Sequence, residues 1–102
     1  MAIEKVTSAN FEAFTAGEGP VVVDFYADWC GPCRMLASSL EALAAKYPLL
    51  RIGKVNVDEE GELAMRFGIS SIPFVAVFRN GALAASSLGY VSDDELAERL
   101  GL

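Results

Sequence analysis

Two cysteines set two residues apart, in Cys30-Gly31-Pro32-Cys33, are the side chains of this chain best suited to chemistry. They are also its only cysteines. The chemistry open to such a pair is thiol–disulfide exchange, in which a thiolate attacks a sulfur of another disulfide. The pair sits where an apolar run, Val21-Val22-Val23-Asp24-Phe25-Tyr26, gives way to a helical pattern near Arg34. A helix start offers free N–H groups and partial positive charge, and both favour thiolate over thiol. A purely stabilising disulfide is the plainer alternative. A ring this small contributes only about 2 kcal/mol, against about 4–5 for a loop of 100 residues, and it clips no distant segments together. Proline in the first helical turn is pre-shaped for the helix and needs no N–H partner.

Asp24 is the most informative polar residue outside the motif. It interrupts an apolar strand six positions before Cys30. A buried carboxyl has a raised pKa. One that titrates near neutrality can take the Cys33 proton, directly or through water. The chain has no histidine, which leaves Asp24 as its best candidate base. The alternative is a strand-end carboxylate facing solvent.

The missing histidine also excludes Ser-His and Cys-His catalytic pairs and histidine metal sites. Two cysteines are half of a four-thiolate zinc site, which only carboxylates or a second chain could complete, and no metal is expected. The net charge of −6 and the scattered basic residues disfavour nucleic acid. The longest uncharged stretch considered, Phe67–Phe78, is too short to span a bilayer, which needs roughly 20 residues. The start, Met-Ala-Ile-Glu-Lys, lacks a basic patch followed by an apolar run, and this points to the cytoplasm. A length of 102 residues predicts one domain, 1–102, and the even charge spread predicts a monomer.

The elements that must position the dithiol follow from periodicity. A weak strand is expected near Ile3–Val6. Thr7 or Ser8 is expected to cap a short helix carrying Phe11 and Phe14. Val21–Tyr26 reads as a strand buried on both faces. A helix over Gly31–Tyr47 carries the stripe Leu36, Leu40, Leu43 and Tyr47 and ends before Pro48. Arg51–Val57 reads as a strand, with Ile52, Lys54 and Asn56 on one side. Asp58 is expected to cap a short helix with Leu63, Ala64 and Phe67, closed by Gly68. Phe74–Phe78 and Ala82–Ser87 form a hairpin about Asn80-Gly81, with Gly89 interrupting the second strand. Ser92-Asp93-Asp94-Glu95 is a capping box opening a last helix with Leu96 and Leu100 buried. The alternation predicts an α/β fold, a central mixed sheet with helices on both faces.

Four blocks, Val23–Met35, Lys54-Val-Asn-Val-Asp58, Phe67-Gly-Ile-Ser-Ser-Ile-Pro73 and Arg79-Asn-Gly81, resemble the thioredoxin family in order and spacing. The resemblance covers essentially the whole chain. It implies the thioredoxin fold and general protein-disulfide reduction. It makes Cys30 the exposed nucleophile and Cys33 the buried resolving thiol. Gly31 and Pro32 then go with a strong reductant, since oxidising and isomerising relatives usually carry histidine before the second cysteine. Lys54 would lie close to Asp24 and help set its ionisation. The Ile72–Pro73 bond would be cis and pack beside the dithiol. Trp29, Gly31, Pro32, Ile72, Pro73, Leu88 and Gly89 would form a flat apolar patch for extended substrates. For Leu88 the alternative is core packing, for Gly89 a bulge, and for Lys54 an ordinary surface lysine. No bound cofactor is implied. Electrons would come from NADPH through a separate flavoprotein, thioredoxin reductase; the chain has no G-x-G-x-x-G of its own.

Three residues depart from the family's usual pattern. Ser38 replaces a frequent helix-kinking proline, Phe74 a small hydroxylated residue, and Tyr26 a frequent tryptophan. They bear on rate, potential and partner choice rather than reaction class. Two other functions compete with reduction: an oxidase or isomerase in an oxidising compartment, and a binding module using the patch around Cys30.

Overall fold

The computed structural model describes residues 3–102. The elements run β1 (Ile3–Lys5), α1 (Phe11–Thr15), β2 (Val21–Tyr26), α2 (Gly31–Lys46), β3 (Arg51–Asn56), α3 (Gly61–Arg66), β4 (Phe74–Arg79), β5 (Ala82–Leu88) and α4 (Asp93–Leu100). The strands form one sheet in the order β1-β3-β2-β4-β5. β1, β3 and β2 run parallel, whereas β4 is antiparallel to both β2 and β5. This is the mixed, helix-flanked α/β sheet of the thioredoxin fold.

Side-chain alternation sends the two faces of β2 into different cores. Val22 packs with Leu36, Leu40 and Leu43 of α2 and Leu96 and Leu100 of α4. Val21, Val23 and Phe25 pack with Phe11 and Phe14 of α1 and Leu63 of α3. Phe74 joins this second core, its ring 6.2 Å from that of Phe25. Asp24, in phase with Val22, therefore lies on the α2 face, and the register sets it opposite Lys54.

Gly53 lets β3 approach α1. A Cβ there would lie 2.5 Å from Val6 Cγ2 and 2.7 Å from Phe14 Cε2, both in side chains of the buried core. Gly53→Ala is expected to destabilise the fold by roughly 1–3 kcal/mol through overpacking. A lower urea midpoint at unchanged slope would show it.

The Asn80-Gly81 turn forms as expected, with both residues at positive φ (55° and 78°), the requirement of a type I′ hairpin. Gly89 does not interrupt β5; it follows the strand's last residue, Leu88. The irregularity in the ladder lies instead opposite Val77 and Phe78.

Several caps differ from expectation. α1 begins at Phe11 after Asn10, not after Thr7 or Ser8. Thr7 Oγ1 accepts from the Ala9 N–H in a preceding turn, and Ser8 bonds Glu60. α3 begins at Gly61 after Glu60, not after Asp58, whose carboxylate is engaged elsewhere. At α4, Ser92 Oγ accepts from the Glu95 N–H, but the Glu95 carboxylate turns to Arg99 rather than completing the box. Tyr47 caps α2 and is half-exposed, so the buried stripe ends at Leu43 and Ala44. With Ser38 in place of proline, α2 runs unbroken and Ser38 Oγ donates to the Met35 carbonyl.

Candidate functional site

The dithiol sits at the N-terminus of α2. Cys30 is its N-cap, and Gly31, Pro32 and Cys33 make the first turn. The two cysteines are paired, with Cα atoms 5.2 Å apart. The Cys33 backbone N–H points at Cys30 Sγ at 3.1 Å, where a side-chain oxygen sits in an ordinary N-cap. That N–H and the positive end of a 16-residue helix both favour negative charge on Cys30.

The exposure expected of Cys30 is not found. Cys30 is only 4% exposed and Cys33 5%, so exposure does not separate the two. Their neighbours do. Cys30 Sγ lies 3.9 Å from the Ile72 carbonyl oxygen, and Ile72 is joined to Pro73 by a cis bond. Cys33, and not Cys30, lines a pocket of about 360 Å³ whose wall includes Asp24, Tyr26, Ala27, Leu40 and Lys54. The short Cys-x-x-Cys turn buries both residues but aims them at different surroundings.

Asp24 is 5% exposed, and its Oδ1 has no hydrogen-bond partner among the described residues. Burial lifts its pKa from 3.8 to about 7, and the Lys54 ammonium opposes part of that rise. Lys54 is itself exposed, with its Nζ 5.7 Å from the centre of the Tyr26 ring. It is thus both a surface lysine and a charge acting on Asp24.

The expected patch residues fall into two groups. Ile72 packs beside the dithiol, and Pro73 is buried next to it. The Gly89 N–H donates to the Pro73 carbonyl at 2.9 Å, which brings the end of β5 to the same place. Leu88 is 54% exposed and is not core. Trp29 is 69% exposed, and its indole N–H donates to Asp58 Oδ2 at 2.8 Å. The sequence pattern points Asp58 to a helix cap, and local spacing carries no signal for its contact with Trp29. Met35 and Tyr90 are further exposed large side chains, next in sequence to Arg34 and Gly89. Among the described residues no group of three His, Cys, Asp or Glu is placed to hold a metal ion. No described helix is long and apolar enough to cross a membrane.

The thioredoxin family model matches residues 2–101. The thioredoxin of Chlamydia pneumoniae is 44% identical over 98 residues, covering 96% of this chain and 94% of that protein. Those of Alicyclobacillus acidocaldarius subsp. acidocaldarius and Bacillus subtilis (strain 168) are 43% and 42% identical over 96 and 99 residues. They cover 93% and 96% of this chain, and 91% and 94% of their own. The chain belongs to the thioredoxin family. With Cys30 and Cys33 at disulfide distance, it is a thiol–disulfide reductase. Thioredoxins need no bound cofactor, and membership implies disulfide-containing targets and a reductase that regenerates the dithiol.

Proposed function

We propose that the protein reduces protein disulfides through a mixed disulfide on Cys30, with Asp24 as the base that activates Cys33. The Cys30 thiolate attacks one sulfur of the target, forming a Cys30–target disulfide and releasing the first target thiolate. Asp24 takes the Cys33 proton. The Cys33 thiolate then attacks Cys30 Sγ, closing the Cys30–Cys33 disulfide and releasing the second target thiolate. Two electrons leave the dithiol, and the target's two sulfurs are reduced. The observation that carries this assignment is that Cys33 shares a pocket with Asp24, whereas Cys30 Sγ faces the Ile72 carbonyl.

Gly31 and Pro32 favour the reducing direction by shaping the first turn, and Lys54 tunes Asp24. Trp29, Gly31, Pro32, Ile72, Pro73, Leu88 and Gly89 form the docking surface for an extended target segment, with main-chain contacts giving breadth. The chain works as one domain, a monomer in the cytoplasm, where reducing systems keep dithiols reduced. A separate flavoprotein, thioredoxin reductase, returns electrons from NADPH.

The test is the reduction potential of the Cys30–Cys33 pair, equilibrated against glutathione or dithiothreitol. A value of about −270 mV, which is typical of thioredoxins, supports the reductase reading. A value of about −180 to −120 mV, the range of isomerases and oxidases, would reject it.

A further inference from the structure

The segment Leu88–Val91 is tied down by three different elements. The Gly89 N–H donates to the Pro73 carbonyl. The Leu88 carbonyl accepts from Arg99 Nη1 of α4 at 3.4 Å, and the same Nη1 donates to Ser87 Oγ at 3.3 Å. The Val91 carbonyl accepts from Ser39 Oγ of α2 at 2.7 Å, in a buried contact.

The register explains why the Leu88 carbonyl is free for Arg99. The Gly89–Pro73 bond lies one step beyond the Phe74–Leu88 pair that ends the β4–β5 ladder, where Pro73 and Gly89 face each other as a hydrogen-bonded pair. The adjacent pair, Phe74 and Leu88, is then a non-hydrogen-bonded one, whose N–H and C=O groups point away from the partner strand. β5 is an edge strand, so the Leu88 carbonyl points to the open side of the sheet. Arg99 reaches it there, steered by Glu95 one turn earlier, whose Oε2 lies 2.7 Å from Nη2. Ser39 does the corresponding work from the helix that carries Cys33.

We propose that Arg99 and Ser39 are positioning residues for protein substrates, together fixing the Leu88–Val91 segment against the Pro73 loop beside Cys30. This rests on the reading of Leu88 and Gly89 as substrate contacts. Neither residue is placed at the reacting sulfurs, so their effect depends on substrate size. A small disulfide needs only the dithiol. An extended polypeptide also needs the segment.

The test compares insulin reduction with reduction of 5,5′-dithiobis(2-nitrobenzoate), alongside the reduction potential. Arg99→Gln is expected to raise KM for insulin about fivefold, the scale of one net hydrogen bond. Its kcat, its rate with the small disulfide and its potential stay unchanged. Arg99→Lys recovers part of the loss, since an ammonium can reach one acceptor but cannot fork among three. Ser39→Ala gives the same split with a lower melting temperature, because the Val91 carbonyl is left unpaired. Unchanged insulin KM in both Arg99→Gln and Ser39→Ala overturns the proposal. Equal losses with both disulfides, or a shifted potential, overturn it as well, because the bonds would then serve the fold alone. Leu88→Glu separates the two layers. If it raises insulin KM while the other variants do not, the contact reading survives and the clamp is rejected. If it too has no effect, the contact reading itself has failed.

Discussion

Cys30→Ser is expected to abolish protein-disulfide reduction, and Cys33→Ser to halt it at a covalent intermediate. Both residues are nearly inaccessible, so the difference cannot come from simple reach. It comes from electrostatics and surroundings. Cys30 receives the Cys33 N–H and the helix N-terminus, which favour negative charge on its sulfur. Without that sulfur no mixed disulfide forms and insulin reduction stops. In Cys33→Ser the attack still occurs, but nothing resolves the adduct. Covalent complexes with target proteins should accumulate on non-reducing gels and disappear with dithiothreitol. If Cys33→Ser yields no such adducts and still turns over, the two-cysteine cycle is wrong.

Asp24→Asn is expected to make the protein more stable and less active. The folded carboxyl has a pKa of about 7, against 3.8 unperturbed, because burial outweighs the pull of Lys54. Between those pH values the folded state holds a proton that the unfolded state has released. Stability is therefore lost as pH rises from about 4 to about 7, and stays lower by a constant amount above that. A gap of that size is worth on the order of 4 kcal/mol. Asn keeps the shape of the neutral acid and never pays the charging penalty. Urea unfolding at pH 8 should show most of this gain, and at pH 4 little of it. The activity moves the other way. The resolving step in the wild type should rise through pH 7 and level off, following the ionisation of Asp24. In Asp24→Asn that rise disappears and the rate at pH 7 falls on the order of 10²-fold, the low end for a general base. Stopped-flow decay of a preformed mixed disulfide reads the step directly. An unchanged profile would remove Asp24 from the mechanism.

Much of this architecture is legible in the sequence where the signal is local. The uninterrupted apolar residues around Asp24 point to a strand covered on both sides, and β2 lies at the centre of the sheet. Asn80-Gly81 acts through its own backbone and Ser92 through the N–H of Glu95 three residues on, and both form as their types demand. The signal fails where a side chain has two possible partners and the choice depends on the tertiary fold. Asp58 has the composition of a helix cap but goes to Trp29, which is 29 residues away. Glu95 fits a capping box but is taken by Arg99. Gly53 looks like any strand glycine until α1 is packed against it. The burial of Cys30 escapes the sequence for a similar reason, since the Ile72–Pro73 loop beside it comes from 42 residues away.

The two cysteines share one covalent bond but look into separate spaces. The pocket beside Cys33 is walled by Ile3, Asp24, Leu40, Glu41 and Lys54, and none of Trp29, Ile72, Pro73, Leu88 or Gly89 belongs to it. In the proposed cycle a large target protein occupies the front of the molecule when Cys33 must lose its proton. In that cycle the flank past Asp24 and Lys54 would give the proton an exit apart from the residues proposed to dock the target. On the proposed cycle, electron traffic and proton traffic would run through different doors, so that the size of the client need not slow the release step.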